Sequence, residues 1–84
     1  MSEERGQEVT IISINKLPSA TPGRLGKFDY VITYRLPTGE LRIVQIPAEE
    51  FEGLSDEEKE EKIREAIKRD IQELLKWAGK KIKL

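Results

Sequence analysis

Residues 55–79 read SDEEKEEKIREAIKRDIQELLKWAG and have the pattern of one long amphipathic helix. Ser55 followed by Glu58 predicts a capping box, in which each side chain bonds a backbone N–H group of the first turn. Acidic residues dominate the first turn and lysines surround the last, as the helix dipole favours. Gly79 suits the left-handed conformation that often ends a helix. The segment therefore predicts a helix of about 23 residues with both ends marked.

Apolar residues recur along this segment at helical spacing, and the principal ones are Ile63, Ile67, Ile71 and Leu74. A helix of this length with one apolar face is stabilised mainly by packing that face on another element. The residues before it supply the only candidate, so we expect the helix to lie across a sheet.

Three β-rich segments precede the helix: residues 9–14 (VTIISI), 27–36 (KFDYVITYRL) and 40–46 (ELRIVQI). Residues 15–26, between the first two, are rich in Pro, Gly and small residues and predict a loop. Residues 37–39, Pro-Thr-Gly, predict a type I turn with the glycine in a bulge. A primed turn would need a positive φ at β-branched Thr38, which is unfavourable.

This turn sets the register of the predicted hairpin. It places Ile32 opposite Val44 and Tyr30 opposite Ile46, so these four residues share one face with Tyr34. We expect the helix to cover this face.

The predicted fold is α+β: a three-stranded antiparallel β-meander packed against one long C-terminal α-helix, in the order βββα. We expect a single domain over residues 1–84, with residues 1–7 and 81–84 frayed. Phe51 and Leu54 are expected to anchor the connection between sheet and helix. A chain of 84 residues can bury a core without disulfides.

The composition argues against several classes of chemistry. The chain has no cysteine and no histidine, and its 15 basic and 16 acidic residues give a net charge of −1. The commonest general base, thiol nucleophile and zinc ligands are therefore missing. We expect no enzyme activity, no catalytic residues, no metal site and no cofactor. Because the charge is nearly balanced, we also expect no membrane partner.

Location and source are predicted from composition alone. The segment MSEERGQEV lacks the apolar core of a signal peptide, and no apolar run is long enough to span a bilayer. We therefore expect a cytoplasmic protein. Abundant Glu, Lys, Arg and Ile, without Cys or His, favours a thermophilic source.

The sheet face away from the helix is predicted to be more apolar than an open face usually is. Its candidate interface residues are Ile11, Val31, Thr33, Leu41 and Ile43. Scattered surface aliphatic residues would give the same pattern, but a contiguous apolar patch often marks an interface. We therefore predict a non-enzymatic protein-interaction or assembly module. It would bind a protein partner, or self-associate as a homo-oligomer, through this face or through an edge strand.

The alternative function is nucleic-acid binding through a sheet face, with Lys27, Arg35 and Arg42 contacting phosphates. In outline, the βββα order is similar to AP2-type and integrase arm-binding domains, which lay a three-stranded sheet in the DNA major groove. No residue motif carries that resemblance, so it implies only the general mode of binding.

Overall fold

The computed structural model describes residues 8–84. The element order is β1 (Thr10–Pro18), β2 (Phe28–Arg35), β3 (Leu41–Pro47), α1 (Ala48–Phe51) and α2 (Asp56–Trp77). Three antiparallel strands form one open sheet in the order β1-β2-β3, and a long C-terminal helix follows. The predicted βββα order of an α+β fold is confirmed.

Two compact units divide the chain, one ending at Gly53 and the other beginning at Leu54. The first contains the sheet and α1, and the second contains α2. The single domain predicted over residues 1–84 and the packing of α2 on the sheet stay predictions. The predicted fraying of residues 1–7 lies outside the described residues.

The β2–β3 hairpin has the predicted register. Ile32 pairs with Val44 and Tyr30 with Ile46. Gly39 N donates to Leu36 O at 2.8 Å, and Leu36 N donates to Glu40 O at 2.8 Å. Gly39 has a φ of 96°, so it occupies the left-handed position of a bulge that closes a type I turn. The prediction from residues 37–39 is confirmed.

One face of the sheet carries the buried residues of the first unit and is called the core face. Its buried members on β2 and β3 are Ile32, Tyr34, Val44 and Ile46. The prediction that these residues share a face is confirmed by their pairing. At one end of this face the Phe51 ring of α1 lies 4.8 Å from the Tyr30 ring, so the short helix extends the core beyond the strands.

The first strand differs from the prediction for residues 9–14. It runs from Thr10 to Pro18, and Lys16 pairs with Tyr30. Proline at the last position of an edge strand is tolerated because its missing N–H interrupts little of the ladder. The register shifts between Ile11 and Ser13, which makes Ile12 the extra residue of a β-bulge.

The long helix has the predicted ends. Ser55 Oγ accepts a hydrogen bond from Glu58 N at 3.2 Å, and Glu58 Oε1 accepts one from Ser55 N at 3.0 Å. These two bonds complete the capping box. The helix stops at Trp77, and Gly79 has the predicted positive φ of 77°. Residues 80–84 belong to neither a helix nor a strand.

Candidate functional site

The face of the sheet opposite the core face is called the outer face, and on β2 and β3 it carries Val31, Thr33, Leu41 and Ile43. Thr33 pairs with Ile43, and the preceding outer pair on these strands is Arg35 with Leu41. Leu41 is 55% exposed and Ile43 is 57% exposed, whereas Val31 and Thr33 are partly exposed. Four of the five predicted interface residues therefore lie on one face.

The fifth predicted interface residue, Ile11, does not lie on the outer face with the other four, and its interface role stays a prediction. Ile11 pairs with Tyr34, whose side chain lies on the core face. The bulge at Ile12 reverses the alternation of the strand, so residues on either side of it do not follow the simple two-residue period. The residues of β1 on the outer face pair with Arg35, Thr33, Val31 and Asp29, and they are Thr10, Ser13, Asn15 and Leu17.

The β1 edge is an exposed apolar strand that sequence reasoning described only in part. Eight of its nine residues are exposed. They include four large aliphatic side chains: Ile11, Ile12, Ile14 and Leu17. An unpaired strand edge with aliphatic side chains is a template for pairing with another chain. The aliphatic residues that recur from Ile11 to Leu17 were the available signal.

The three basic residues of the alternative function do not form one surface. Lys27 lies in the loop before β2, and Arg35 is the last residue of β2. Arg35 lies on the outer face opposite Leu41, whereas Arg42 pairs with Tyr34 on the core-face side. Arg42 also lies 3.8 Å from a Glu40 carboxylate oxygen. The geometry therefore separates the predicted phosphate contacts.

An arginine at the base of the sheet binds several groups at once. Arg24 Nη1 donates to Glu49 Oε2 at 2.6 Å, and Nη2 donates to Asp29 Oδ1 at 2.8 Å. Its guanidinium also donates to the Phe28 carbonyl at 2.9 Å and to Ser19 Oγ at 3.3 Å. This arrangement, called the Arg24 cluster, ties the β1–β2 loop to the start of β2 and to α1.

Burial and charge indicate that the Arg24 cluster has a structural role. Asp29 is only 4% exposed, and a buried carboxylate is costly unless it is paired. Hydrogen bonding from Arg24 is the largest cause that lowers the pKa of Glu49 from 4.5 to about 2. The same partners raise the pKa of Arg24. Because the Arg24 guanidinium hydrogen-bonds the carboxylates of both Asp29 and Glu49, the cluster is better suited to holding these segments together than to acid–base chemistry.

A second polar cluster lies on the core-face side of β1 and β2. Tyr30 Oη donates to Glu52 Oε2 at 2.8 Å, and Lys16 forms an ion pair with the same carboxylate. The Lys16 ammonium lies 5.4 Å from the centre of the Phe28 ring. Hydrogen bonding to Glu52 is the largest cause that raises the pKa of Lys16. The hydrogen bond that Tyr30 donates to Glu52 is likewise the largest cause that raises the pKa of the Tyr30 phenol. These contacts join the edge strand to the end of α1.

Neither polar cluster came from the sequence argument. Arg24 and Glu49 are 25 residues apart, which is too far for a local sequence pattern to reveal their contact. The hydrogen bond between them forms only because the hairpin and α1 bring the two segments together. Asp29, the one acidic residue of β2, was the available signal, because a carboxylate within a strand needs a cationic or hydrogen-bonding partner if it is buried.

Within residues 8–84, no three acidic side chains gather closely enough to hold a metal ion. No helix in the same range combines the length and apolar content that crossing a membrane requires.

Comparison with known proteins adds no family: the chain matches no protein-family model, no curated protein and no solved structure.

Proposed function

We propose that this protein is a non-enzymatic interaction module that self-associates through the outer face. The observation that carries the proposal is the exposure of Leu41 and Ile43, both more than half exposed, beside Val31 and Thr33 on the central strand. Fully burying a leucine or isoleucine side chain stabilises a complex by about 1.5–3 kcal/mol. Burial of both Leu41 and Ile43 in a contact between two copies would therefore stabilise the complex.

The charge on the outer face supports a second copy as the partner. Arg35 is its exposed charge, while Asp29 is paired with Arg24 at the other end of β2. The other residues of this face carry no charge, and they are Thr10, Ser13, Asn15, Leu17, Gln45 and Pro47. In a two-fold contact the same patch of each copy faces the other, so the patch must carry few charges of the same sign. The outer face satisfies this requirement.

The β1 edge offers a competing route to self-association, because unpaired backbone groups of one copy can pair with those of another. Two features oppose a long, regular pairing there. The bulge at Ile12 interrupts the ladder, and Pro18 lacks an N–H donor. The outer face is therefore the better candidate, and the β1 edge is a distinct outcome of the test.

Size-exclusion chromatography with light scattering tests the proposal over a series of protein concentrations. We expect a dimer or larger species for the wild type and a shift to monomer for Ile43→Glu. The matched control is Ile12→Glu, which introduces the same charge at an exposed isoleucine on the β1 edge. Circular dichroism checks that both variants fold, and Ile43→Thr provides a milder change that keeps a β-branched residue.

Three results are informative against the proposal. A wild-type monomer at every concentration overturns self-association. Dissociation by Ile12→Glu but not by Ile43→Glu assigns the contact to the β1 edge. Dissociation by both variants to the same extent removes the special role of the outer face.

Four other expectations from the sequence stay predictions: nucleic-acid binding as the alternative function, the absence of enzyme activity, the cytoplasmic location and the thermophilic source. The alternative of nucleic-acid binding is checked by a gel shift at two salt concentrations, since phosphate contacts weaken steeply with salt. The absence of enzyme activity, the cytoplasmic location and the thermophilic source rest on composition.

A further inference from the structure

Charge along this chain is segregated, although its total is nearly neutral. Residues 49–61 contain eight acids and one lysine, whereas residues 74–84 contain four lysines and no acid. The basic tail is defined as residues 76–84, KWAGKKIKL. A net charge of −1 argues against attraction of the whole molecule to an anionic surface, but it does not describe this end of the chain.

The structure places lysines around a tryptophan at the start of the basic tail. The Lys76 and Lys80 ammonium groups lie 5.8 Å and 5.7 Å from the centre of the Trp77 ring. The positive φ of Gly79 turns the chain after the helix, and Lys80 N donates to Trp77 O at 3.0 Å. This turn brings a lysine from beyond the helix back to the indole.

Apolar side chains are exposed between the lysines. Trp77 is 53% exposed, Ile82 is 70% exposed, and Leu84 is fully exposed. The ion pairs found within residues 8–84 involve none of the four lysines of the tail. The tail therefore combines available positive charge with apolar surface that water does not favour.

We propose that the basic tail binds an anionic lipid surface. Lysines next to an amphipathic helix are attracted to anionic headgroups, and an indole favours the interface between headgroups and acyl chains. Ile82 and Leu84 would enter the acyl boundary while the lysines stay at the headgroups. Nucleic acid is the weaker match, because bidentate phosphate contacts favour arginine and the last arginine of the chain is Arg69.

This binding needs no membrane-spanning helix and is independent of self-association through the outer face. The expectation of no membrane partner rested on total charge and on the length of apolar runs. Neither quantity registers a short segment in which lysines and apolar residues are mixed.

Trp77 is the only tryptophan of the chain, so its fluorescence reports directly on the tail. The full chain is titrated with phosphatidylcholine vesicles and with phosphatidylcholine vesicles that contain phosphatidylglycerol. We expect a blue shift of the emission and co-sedimentation only with the anionic vesicles, and we expect both to weaken as salt is raised. Unchanged emission and no co-sedimentation with anionic vesicles would overturn the proposal.

Two variants and a control separate the two parts of the interaction. The triple change Lys80→Gln, Lys81→Gln and Lys83→Gln should lower the affinity for anionic vesicles about a hundredfold. The double change Ile82→Ser and Leu84→Ser keeps every charge and should reduce the blue shift. The matched control removes three exposed charges elsewhere through Lys27→Gln, Lys68→Gln and Arg69→Gln, and it should bind as the wild type does.

The remaining outcomes decide against a lipid surface. If the triple variant and the matched control lose affinity equally, attraction depends on total charge and the tail has no special role. If a single-stranded oligonucleotide retards the wild type in a gel while anionic vesicles leave Trp77 emission unchanged, the ligand is nucleic acid. Circular dichroism of each variant excludes loss of the helix as the cause.

Discussion

Ile14 and Ile32 are direct partners across the β1–β2 ladder, yet their surroundings are opposite. Ile32, on the central strand, is 0% exposed, whereas Ile14, on the edge strand, is 45% exposed. The residue type, the face and the secondary structure are the same. What differs is the covering of the two strands, because β2 has a strand on each side and β1 has one. Position in the sheet therefore sets the energetic importance of an isoleucine here.

A matched pair of truncations, Ile32→Ala and Ile14→Ala, measures how much position in the sheet contributes to stability. Ile32→Ala should destabilise the protein by about 2–5 kcal/mol, since it removes a fully buried side chain and leaves a cavity. Ile14→Ala should cost about 1 kcal/mol or less, because its side chain keeps much of its contact with water. Urea unfolding followed by circular dichroism measures both.

Equal losses for the two alanine variants would contradict the comparison. They would mean that the edge strand is covered in solution, and the β1 edge would then replace the outer face as the candidate contact.

The second prediction concerns the end of the central strand, where a charge is buried instead of an aliphatic side chain. Arg24→Ala should lower the urea midpoint much more than Lys27→Ala, because it leaves the Asp29 carboxylate buried without its cationic partner. Adding Asp29→Asn to Arg24→Ala should restore part of the loss.

Additive losses in this double variant would contradict the assigned pairing. Lys27 is a suitable control because it lies in the same loop, carries the same charge and is exposed.

The sequence predicted the central features of the fold for local reasons. Residues 37–39 determine the hairpin register, since the type I turn and the positive φ of Gly39 allow one alignment of β2 and β3. Ser55 and Glu58 mark the helix start within four residues. In both places the determining interactions join residues that are close in the chain, so a sequence pattern can reveal them.

Features that depend on distant contacts could not be predicted in the same way. The bulge at Ile12 moves Ile11 to the core-face side, and no local pattern announces it. Residues 15–18 were expected in a loop, because Asn15 and Pro18 are common there, but pairing with β2 extends the strand. The Arg24 cluster brings together three separate segments.

An exposed residue can also contribute to the free energy of unfolding, and Ser55 provides the test. Ser55 is exposed, yet Ser55→Ala should cost about 1 kcal/mol because the side chain bonds an N–H group that the first helical turn leaves open. Ser13→Ala, on the outer face of β1, is the comparison and should change the free energy of unfolding by less than about 0.5 kcal/mol. Urea unfolding of both variants gives the values, and a neutral Ser55→Ala would argue against the capping box.

The stability that Glu49 contributes in the Arg24 cluster should depend on pH. The pKa of Glu49 is lowered in the folded protein from 4.5 to about 2, so the ionised carboxylate stabilises the fold above pH 4.5. That contribution is lost as the pH falls from 4.5 towards 2. Glu49→Gln should therefore be less stable than the wild type at neutral pH, and the difference should shrink at about pH 3.

Urea midpoints of the two proteins at both pH values measure this difference. A difference that stays constant would show that Arg24 stabilises Glu49 by geometry without preferring its ionised form. Glu50→Gln is the control, since this carboxylate follows directly in the chain and is also exposed.

We propose that the outer face, and not the β1 edge or the core, contacts a second copy. Methyl NMR spectra of isoleucine-labelled protein, recorded while the protein is diluted, report on each of these surfaces separately. We expect the Ile43 methyl signal to move with concentration while those of Ile14 and Ile32 stay in place. Signals that do not move at any concentration, or movement at Ile14 without movement at Ile43, would contradict the claim.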